Sequence, residues 1–530
     1  MTAADVQALL PLLILAGAAI LAMLAIAFRR RHALAAAIAL AGLAAAFASL
    51  WIAAARAPHP VPPLLIIDRY AIFYIGMILA ASAAFVLLAY DYFSKCEGDH
   101  EEIYVLMLTA TLGASVLVSS SHLVSLFLGL ELLSVPLYGM IAYLHTRPLP
   151  VEAGLKYLVL AALSASFLLF GIALLYDARG TMDFSRLVAA GLPAAGFDRR
   201  LVLSGVALIV TGLGFKLAVV PFHLWTPDVY EGAPTPVTAY IATVSKGAIV
   251  GLLLRYFHGP VLAAAPVFLL LSGVAVASMI AGNLLALFQQ NVKRILAYSS
   301  IAHLGYVLVA LVAGGDLGAA AVTFYLAAYF VTTLGAFGVV GILSEGEKEP
   351  ATIAAYRGLF WRRPVLAGIL TAMLLSLAGI PLTAGFIGKF YIVAAGASAA
   401  AWALVLALAV TSAVGLYYYL RVVVALYART ERAAPIAPAE PLPAAPVGPL
   451  PASPTPPPPA TPAPPLPAAP VGPVPAALLA ALTFLLIWFG VFPGPILGPI
   501  RSAVAGLATA QAAGTANSLA KGGNDPLAAR

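Results

Sequence analysis

Charged residues are scarce: Asp, Glu, Lys and Arg make up 9% of the 530 residues, against about 25% in a soluble globular chain. With 62% hydrophobic residues and a mean hydropathy of +1.01, the chain carries more apolar surface than an aqueous core could bury. Its main solvent is therefore expected to be lipid. Cysteine is nearly absent. Cys96 stands alone, which excludes an intrachain disulfide and a thiolate cluster for iron–sulfur. No spacing resembles a zinc site, and no GxGxxG or GxxxxGK(S/T) opens a nucleotide-binding domain. The N-terminus has neither a basic leader region nor a small-residue cleavage site, so its first apolar run reads as a retained span. The period-two alternation of a barrel strand is missing as well.

What remains is a succession of apolar runs rich in Ala and Leu. Crossing roughly 30 Å of hydrocarbon takes about 20 helical residues. Fourteen runs are long enough: approximately 6–28, 33–55, 70–90, 103–120, 122–144, 153–176, 200–220, 234–257, 261–288, 294–313, 317–343, 364–394, 399–428 and 475–498. The fourth and fifth divide at Ser119-Ser120-Ser121-His122. The expected fold is all-α, a polytopic membrane helix bundle.

The net charge of +7 does not point to nucleic acid, because the basic residues gather at the ends of these runs, where they anchor and orient helices. Loops after odd-numbered runs hold 13 Lys and Arg, including Arg29–Arg31, Arg147, Lys293 and Arg294; the opposite face holds 10. That bias puts both termini outside. Residues 435–475 differ in kind, with 19 prolines among 41 positions and a near-repeat of Leu442–Pro451 at Leu466–Pro475. Proline on this scale reads as an extended linker, with a docking strip as the alternative. These features divide the chain into three N-terminal helices over 1–102, a first repeat over 103–258, a second over 259–430, a linker over 431–474, and a last helix with its tail over 475–530.

The charges that do fall inside runs are the informative ones: Lys156, Lys216, Lys246, Lys389, Arg421 and, among acids, Glu131. A charge at the bilayer centre costs at least about 2.5–3.5 kcal/mol on insertion scales, so such groups usually face a protein interior or water. Arg421 can snorkel toward Arg429. Lys156, four residues after Glu152, fits an interfacial anchor as well as a relay position. Glu131, Lys216, Lys246 and Lys389 lie mid-run or beside a helix break. Lys216 precedes Pro221, and Lys389 follows Pro381. Proline in a span frees carbonyls that are tolerated around a hydrated cavity, and paired breaks suggest inverted repeats around an ion path.

Burial lowers a lysine's affinity for its proton and a nearby carboxylate restores it, so a row of such groups is a switchable proton relay. Arginine does not deprotonate and cannot take that part. His223, just past Pro221, and His303, inside the tenth run, can add to a relay because histidine titrates near neutral pH. Either can equally be a packing residue.

Phe215–Tyr240 (FKLAVVPFHLWTPDVYEGAPTPVTAY) resembles the subunit N family of bacterial respiratory complex I, the proton-translocating NADH–quinone oxidoreductase. Phe127–Tyr138 (FLGLELLSVPLY) and Asn291–Tyr306 (NVKRILAYSSIAHLGY) support the likeness. The resemblance implies fourteen helices, two inverted five-helix repeats, and breaks in helices seven and twelve. It implies that Glu131 pairs with Lys216, that Lys246 is the central lysine, and that Lys389 belongs to the outlet half-channel. It also implies no cofactor in this chain, with NADH, FMN, iron–sulfur clusters and quinone on other subunits. The expected partners are sibling antiporter-like subunits of the membrane arm. The proline-rich insertion departs from the family pattern. Two other readings share parts of this chemistry: a subunit of a multisubunit cation/proton antiporter or membrane-bound hydrogenase, and a structural scaffold whose charges only fix packing. Lys389, with no acid nearby in sequence, fits the scaffold poorly.

Overall fold

In lipid, a backbone must satisfy its own hydrogen bonds, and an apolar run rich in Ala and Leu does so as helix. The computed structural model describes residues 2–193, 195–257, 265–344, 349–429 and 471–507. Its helices of eight or more residues, in chain order, are α1 Leu10–Phe28, α2 His32–Ala54, α3 Arg69–Phe93, α4 Glu102–Val118, α5 Leu123–Ile141, α6 Pro148–Arg179, α7 Phe197–Leu217 and α8 Trp225–Gly232. They continue with α9 Thr235–Phe257, α10 Ala265–Leu287, α11 Val292–Ala313, α12 Gly315–Ile342, α13 Pro364–Ala378, α14 Ala384–Ser398, α15 Trp402–Tyr427 and α16 Pro473–Val491. Twelve are long and apolar enough to cross a membrane. Fourteen crossings are reached only by counting the 17-residue α4 as one and the shorter pair α13 and α14 as another.

Local chemistry sets the boundaries. His122 caps α5 through its ring nitrogen on the Val124 amide, and Ser119 ends α4, so the division expected at Ser119–His122 is where these helices part. Asp68 caps α3, and Asn291 caps α11 by accepting from the Lys293 and Arg294 amides. One feature departs from the all-α expectation: strands His59–Val61 and Leu65–Ile67 pair antiparallel, His59 opposite Ile67. Prolines at 58, 60, 62 and 63 bar helix from that stretch.

Burial separates centre from periphery. The most apolar windows of α9 and α12 are entirely inside and that of α11 is 94% inside, while α16 buries 28% of its window. Helices apolar on all sides belong at the centre, and these three form it. A bidentate pair, Arg255 of α9 on Asp68 at 2.8 Å for both bonds, ties the centre to the start of α3; Arg255 also donates to the Val118 carbonyl at the end of α4. Arg255 is buried. Arg421 donates to the Leu287 and Gln289 carbonyls at the end of α10, which is a structural use.

Both expected breaks are present. α7 stops at Leu217 with Ala218 left-handed at φ 65°, seven residues before α8. α13 stops at Ala378 with Gly379 at φ 85°, and α14 resumes at Ala384. Most of the proline-rich linker, 430–470, lies outside the described residues.

Candidate functional site

Three of the candidate lysines, Lys216 and Lys246 buried and Lys389 half-buried, are each held by hydroxyl or carbonyl oxygen rather than by a carboxylate. Lys216 occupies the last turn of α7, where the break leaves it facing α5. Its Nζ donates to Ser134 Oγ at 2.7 Å and stands 5.4 Å from the Tyr157 ring centroid. Glu131 lies one turn before Ser134 on α5, half-buried, with Oε1 buried and without a hydrogen-bond partner. No ion pair within 4.0 Å joins Glu131 to Lys216. Ser134, nearer along the helix face, takes the ammonium, and the carboxylate acts from one turn away.

Lys246 sits in α9 directly after a π-helical turn, Ile241–Ser245. Such a turn inserts one residue, rotates the rest of the helix about its axis, and recurs at functional sites. Lys246 is buried; its Nζ donates to Ser300 Oγ at 2.7 Å and lies 5.2 Å from the Tyr230 ring centroid. Tyr329 donates to the same serine at 2.8 Å.

Lys389, on α14 just past the second break, donates to Ser412 Oγ at 2.7 Å and to the Ala378 carbonyl at 2.9 Å. That carbonyl is one of those freed where α13 ends. The Tyr306 ring centroid is 5.2 Å from its Nζ. Among the described residues, none of the three ammonium groups has a carboxylate within 4.0 Å. Each makes fewer strong bonds than its three donors allow.

α11 joins the second lysine to the third. Ser300, His303 and Tyr306 recur every three residues, so they share one helix face. His303 is buried, with Nδ1 at 2.7 Å from the Tyr325 hydroxyl and Nε2 at 3.0 Å from that of Tyr419. Tyr419 also bonds Ser299, and Tyr306 accepts from Asn283 at 3.0 Å. Lys246 and Lys389 thus stand at the two ends of a row of exchangeable O–H and N–H groups on one helix, Lys246 bonded to Ser300 and Lys389 over the Tyr306 ring.

The remaining candidates fall outside this row. Lys156 is 43% exposed and pairs with Glu152 at 2.7 Å and Asp228 at 2.8 Å. Arg294 continues that surface network to Asp228 and Glu231, so the geometry gives Lys156 the anchoring alternative. His223 is buried in the first break with Nδ1 unpartnered, and it bonds none of the three lysines. Lys293, assigned from sequence to a loop, is instead 2% exposed on the first turn of α11, paired with Glu349 at 2.7 Å. An Asn cap at 291 was the signal that the helix already begins there. The serines holding the lysines carry no such signal, because a hydroxyl costs little in a span.

A family model described as NADH:quinone oxidoreductase/Mrp antiporter, TM matches residues 120–415. The chain is 51% identical over 436 residues to NADH-quinone oxidoreductase subunit N of Ectopseudomonas mendocina (strain ymp), covering 81% of this chain and 88% of that one. Among solved structures, a chain of respiratory complex I from Thermus thermophilus with bound Aureothin matches at TM-score 0.75 and 33% identity, over 93% of this chain and 99% of the other. A chain of the Mrp complex from Dietzia sp. DQ12-45-1b matches at TM-score 0.79 and 21% identity, over 96% and 98% respectively, which is a likeness of fold.

Proposed function

This chain belongs to the NADH:quinone oxidoreductase/Mrp antiporter transmembrane family, and from that premise we propose that it is the N subunit of a bacterial NADH–quinone oxidoreductase. In this reading it sits in the inner membrane as a multi-pass subunit, packed against other membrane-arm subunits. It moves protons while electron transfer from NADH to quinone proceeds on its partners, which carry the FMN, the iron–sulfur clusters and the quinone site. The relative at 51% identity favours this over a stand-alone cation/proton antiporter, to which the likeness is one of fold.

The observation that carries the mechanism is that Lys216, Lys246 and Lys389 have hydroxyl partners and, among the described residues, no ion-pair partner. An ammonium in that setting is poorly compensated, so a small change in field decides whether it keeps its proton. Glu131, one turn from the Lys216 contact, favours the protonated state of Lys216. Loss of that influence, or arrival of a second cation, drives the proton onward. Lys246 passes it through Ser300 and His303, whose two ring nitrogens accept and donate in turn. Lys389 receives it beside the carbonyl of the broken helix and releases it. His223 and Lys156 are assigned no step.

The test is proton uptake driven by NADH in inside-out membrane vesicles. Lys216→Ala, Lys246→Ala and Glu131→Ala should each strongly reduce it while NADH–ferricyanide activity reports an assembled complex. Full pumping in all three would remove the relay. Co-purification of the wild-type chain with FMN and iron–sulfur partners tests the assignment to the complex.

A further inference from the structure

Four helices, α2, α3, α12 and α16, border a groove of about 640 Å³ whose lining is apolar throughout. Residues of α3 line it from 72 to 87 and those of α16 from 478 to 489, while α2 walls only one end, over 47–54. Along α3 the groove runs about 22 Å at 1.5 Å per residue, against roughly 30 Å for a full crossing of hydrocarbon. Packed protein leaves few voids larger than a water molecule, and a cavity with apolar walls does not hold water. The shape and walls of the groove suit an apolar chain.

The end walled by α2 is the outer one by the charge of the loops, yet arginines rim it. Arg56 follows the last lining residue of α2, Arg69 opens α3, and Arg501 lies on helical turns at 494–507. Arg69 donates to Ser502 Oγ at 3.3 Å, so the start of α3 and those turns meet. They approach closely: a Cβ on Gly506 would stand 3.2 Å from Arg69 Cβ. The turns bury Ile500, Ala503, Val504 and Leu507, a single stripe at helical spacing, and expose Arg501 and Ser502. A helix of that pattern lies in the plane of the interface. Trp51, exposed at the same end, is the kind of side chain that sits at headgroup level. The nearby acids are already taken, Asp5 by His59 and Asp68 by Arg255. Among the described residues, none of the three guanidinium groups lies within 4.0 Å of a carboxylate.

We propose that this groove binds an anionic phospholipid of the outer leaflet, with an acyl chain lying between α3 and α16 and the phosphate held by Arg69 and Arg501. Arg56 adds a third positive charge to the rim. The inference goes beyond the proton-translocating reading and does not depend on it. Arginine presents a planar fork of donors that fits phosphate oxygens in pairs, and these forks face the headgroup layer without a counter-charge. A helix of another subunit would cover the apolar walls but leave those charges uncompensated, and it would need the full crossing length. One phospholipid answers both features. Its chain fills the gap beside α16, a helix that buries little of its own surface against the rest of the protein.

The test uses the full chain, purified with whatever subunits accompany it, in phosphatidylcholine vesicles doped with phosphatidylglycerol that carries a diazirine along one acyl chain. Irradiation and peptide mass spectrometry should place the label on 72–87 of α3 and 478–489 of α16. Phosphatidylcholine with the same diazirine, at the same mole fraction, should label those stretches several-fold less, and excess unlabelled phosphatidylglycerol should compete the signal away. Arg69→Gln combined with Arg501→Gln should bring phosphatidylglycerol labelling down to the phosphatidylcholine level. Ala80→Phe, which sets a ring into the groove from an exposed position on α3, should lower labelling by both lipids. If a variant fails to assemble, the ratio of the two lipids and the competition on the wild-type protein decide. Equal labelling by the two lipids would mean ordinary boundary lipid and overturn the site. Absence of label from both stretches would mean that another subunit covers the groove, which overturns it too. Labelling that persists in the arginine variant would show that the phosphate is not held there.

Discussion

An ammonium at membrane depth is costly in either of two ways: charged, it lacks solvation, and neutral, it has surrendered a proton it would keep in water. That cost bears on Lys246, whose surroundings offer one serine oxygen and the face of a tyrosine ring. The nature of the head group should therefore matter more than its charge. Lys246→Arg preserves the cation and can still reach Ser300, yet guanidinium does not release its proton. The expected result is an assembled complex with near-normal NADH–ferricyanide activity and severely reduced proton uptake; normal uptake would make Lys246 an electrostatic fixture. The lysines were legible in the sequence because each interrupts an apolar run. Their partners were not. Ser134, Ser300 and Ser412 look like any serine in a helix. Which α5 oxygen meets the Lys216 ammonium was not legible either, since Glu131 and Ser134 differ by one turn along that helix.

Helix breaks carry the second level of the design. Pro381 announced the break between α13 and α14, and Lys389 was placed beside it from sequence alone. The structure adds why glycine is required there. Gly379 is left-handed at φ 85°, and a Cβ on it would come within 2.8 Å of Lys389 Cδ. Gly379→Ala therefore carries the left-handed penalty of about 1–2 kcal/mol and pushes Lys389 from its contacts with Ala378 and Ser412. Gly180 supplies a control: it is left-handed at φ 64° at the end of α6, with open space where a Cβ would go. Both alanine variants should lower the thermal stability of the complex, but only Gly379→Ala should impair proton uptake. Equal pumping in the two would mean that Lys389 tolerates displacement. The π-helical turn ahead of Lys246 was not legible, because Ile-Ala-Thr-Val-Ser has the composition of ordinary helix and the extra residue is imposed by packing on every side.

At the scale of the whole molecule, the bundle's centre is clamped at one end by charges that the sequence assigned to loops. α9, the helix of Lys246, begins at Thr235. The Thr235 amide and hydroxyl both donate to Glu349 Oε1, at 3.0 and 2.8 Å, so a carboxylate from the segment after α12 caps it. Lys293 of α11 and the Tyr92 hydroxyl of α3 bind the same group. Four parts of the chain thus meet on one side chain, which no reading of runs and loops could have joined. Burial pushes the Glu349 carboxyl up, but Lys293, Tyr92 and Thr235 outweigh it and hold the group below its ordinary value of 4.5. A carboxyl depressed in the folded state contributes its stabilisation fully above the unfolded value, and loses it as pH falls through the lower folded value. The clamp should therefore persist at pH 7 and still hold near pH 5. Glu349→Gln keeps shape and some hydrogen bonds while removing the charge opposite Lys293, which leaves a buried cation unpaired. The variant complex should unfold at a lower temperature than the wild type at pH 7. That gap should narrow only at pH below about 4.5, where the wild-type carboxylate begins to take up a proton. Thermal unfolding of the two complexes across that range measures it, and a gap that closes already between pH 7 and 6 would show that Glu349 is not the charge holding the centre together.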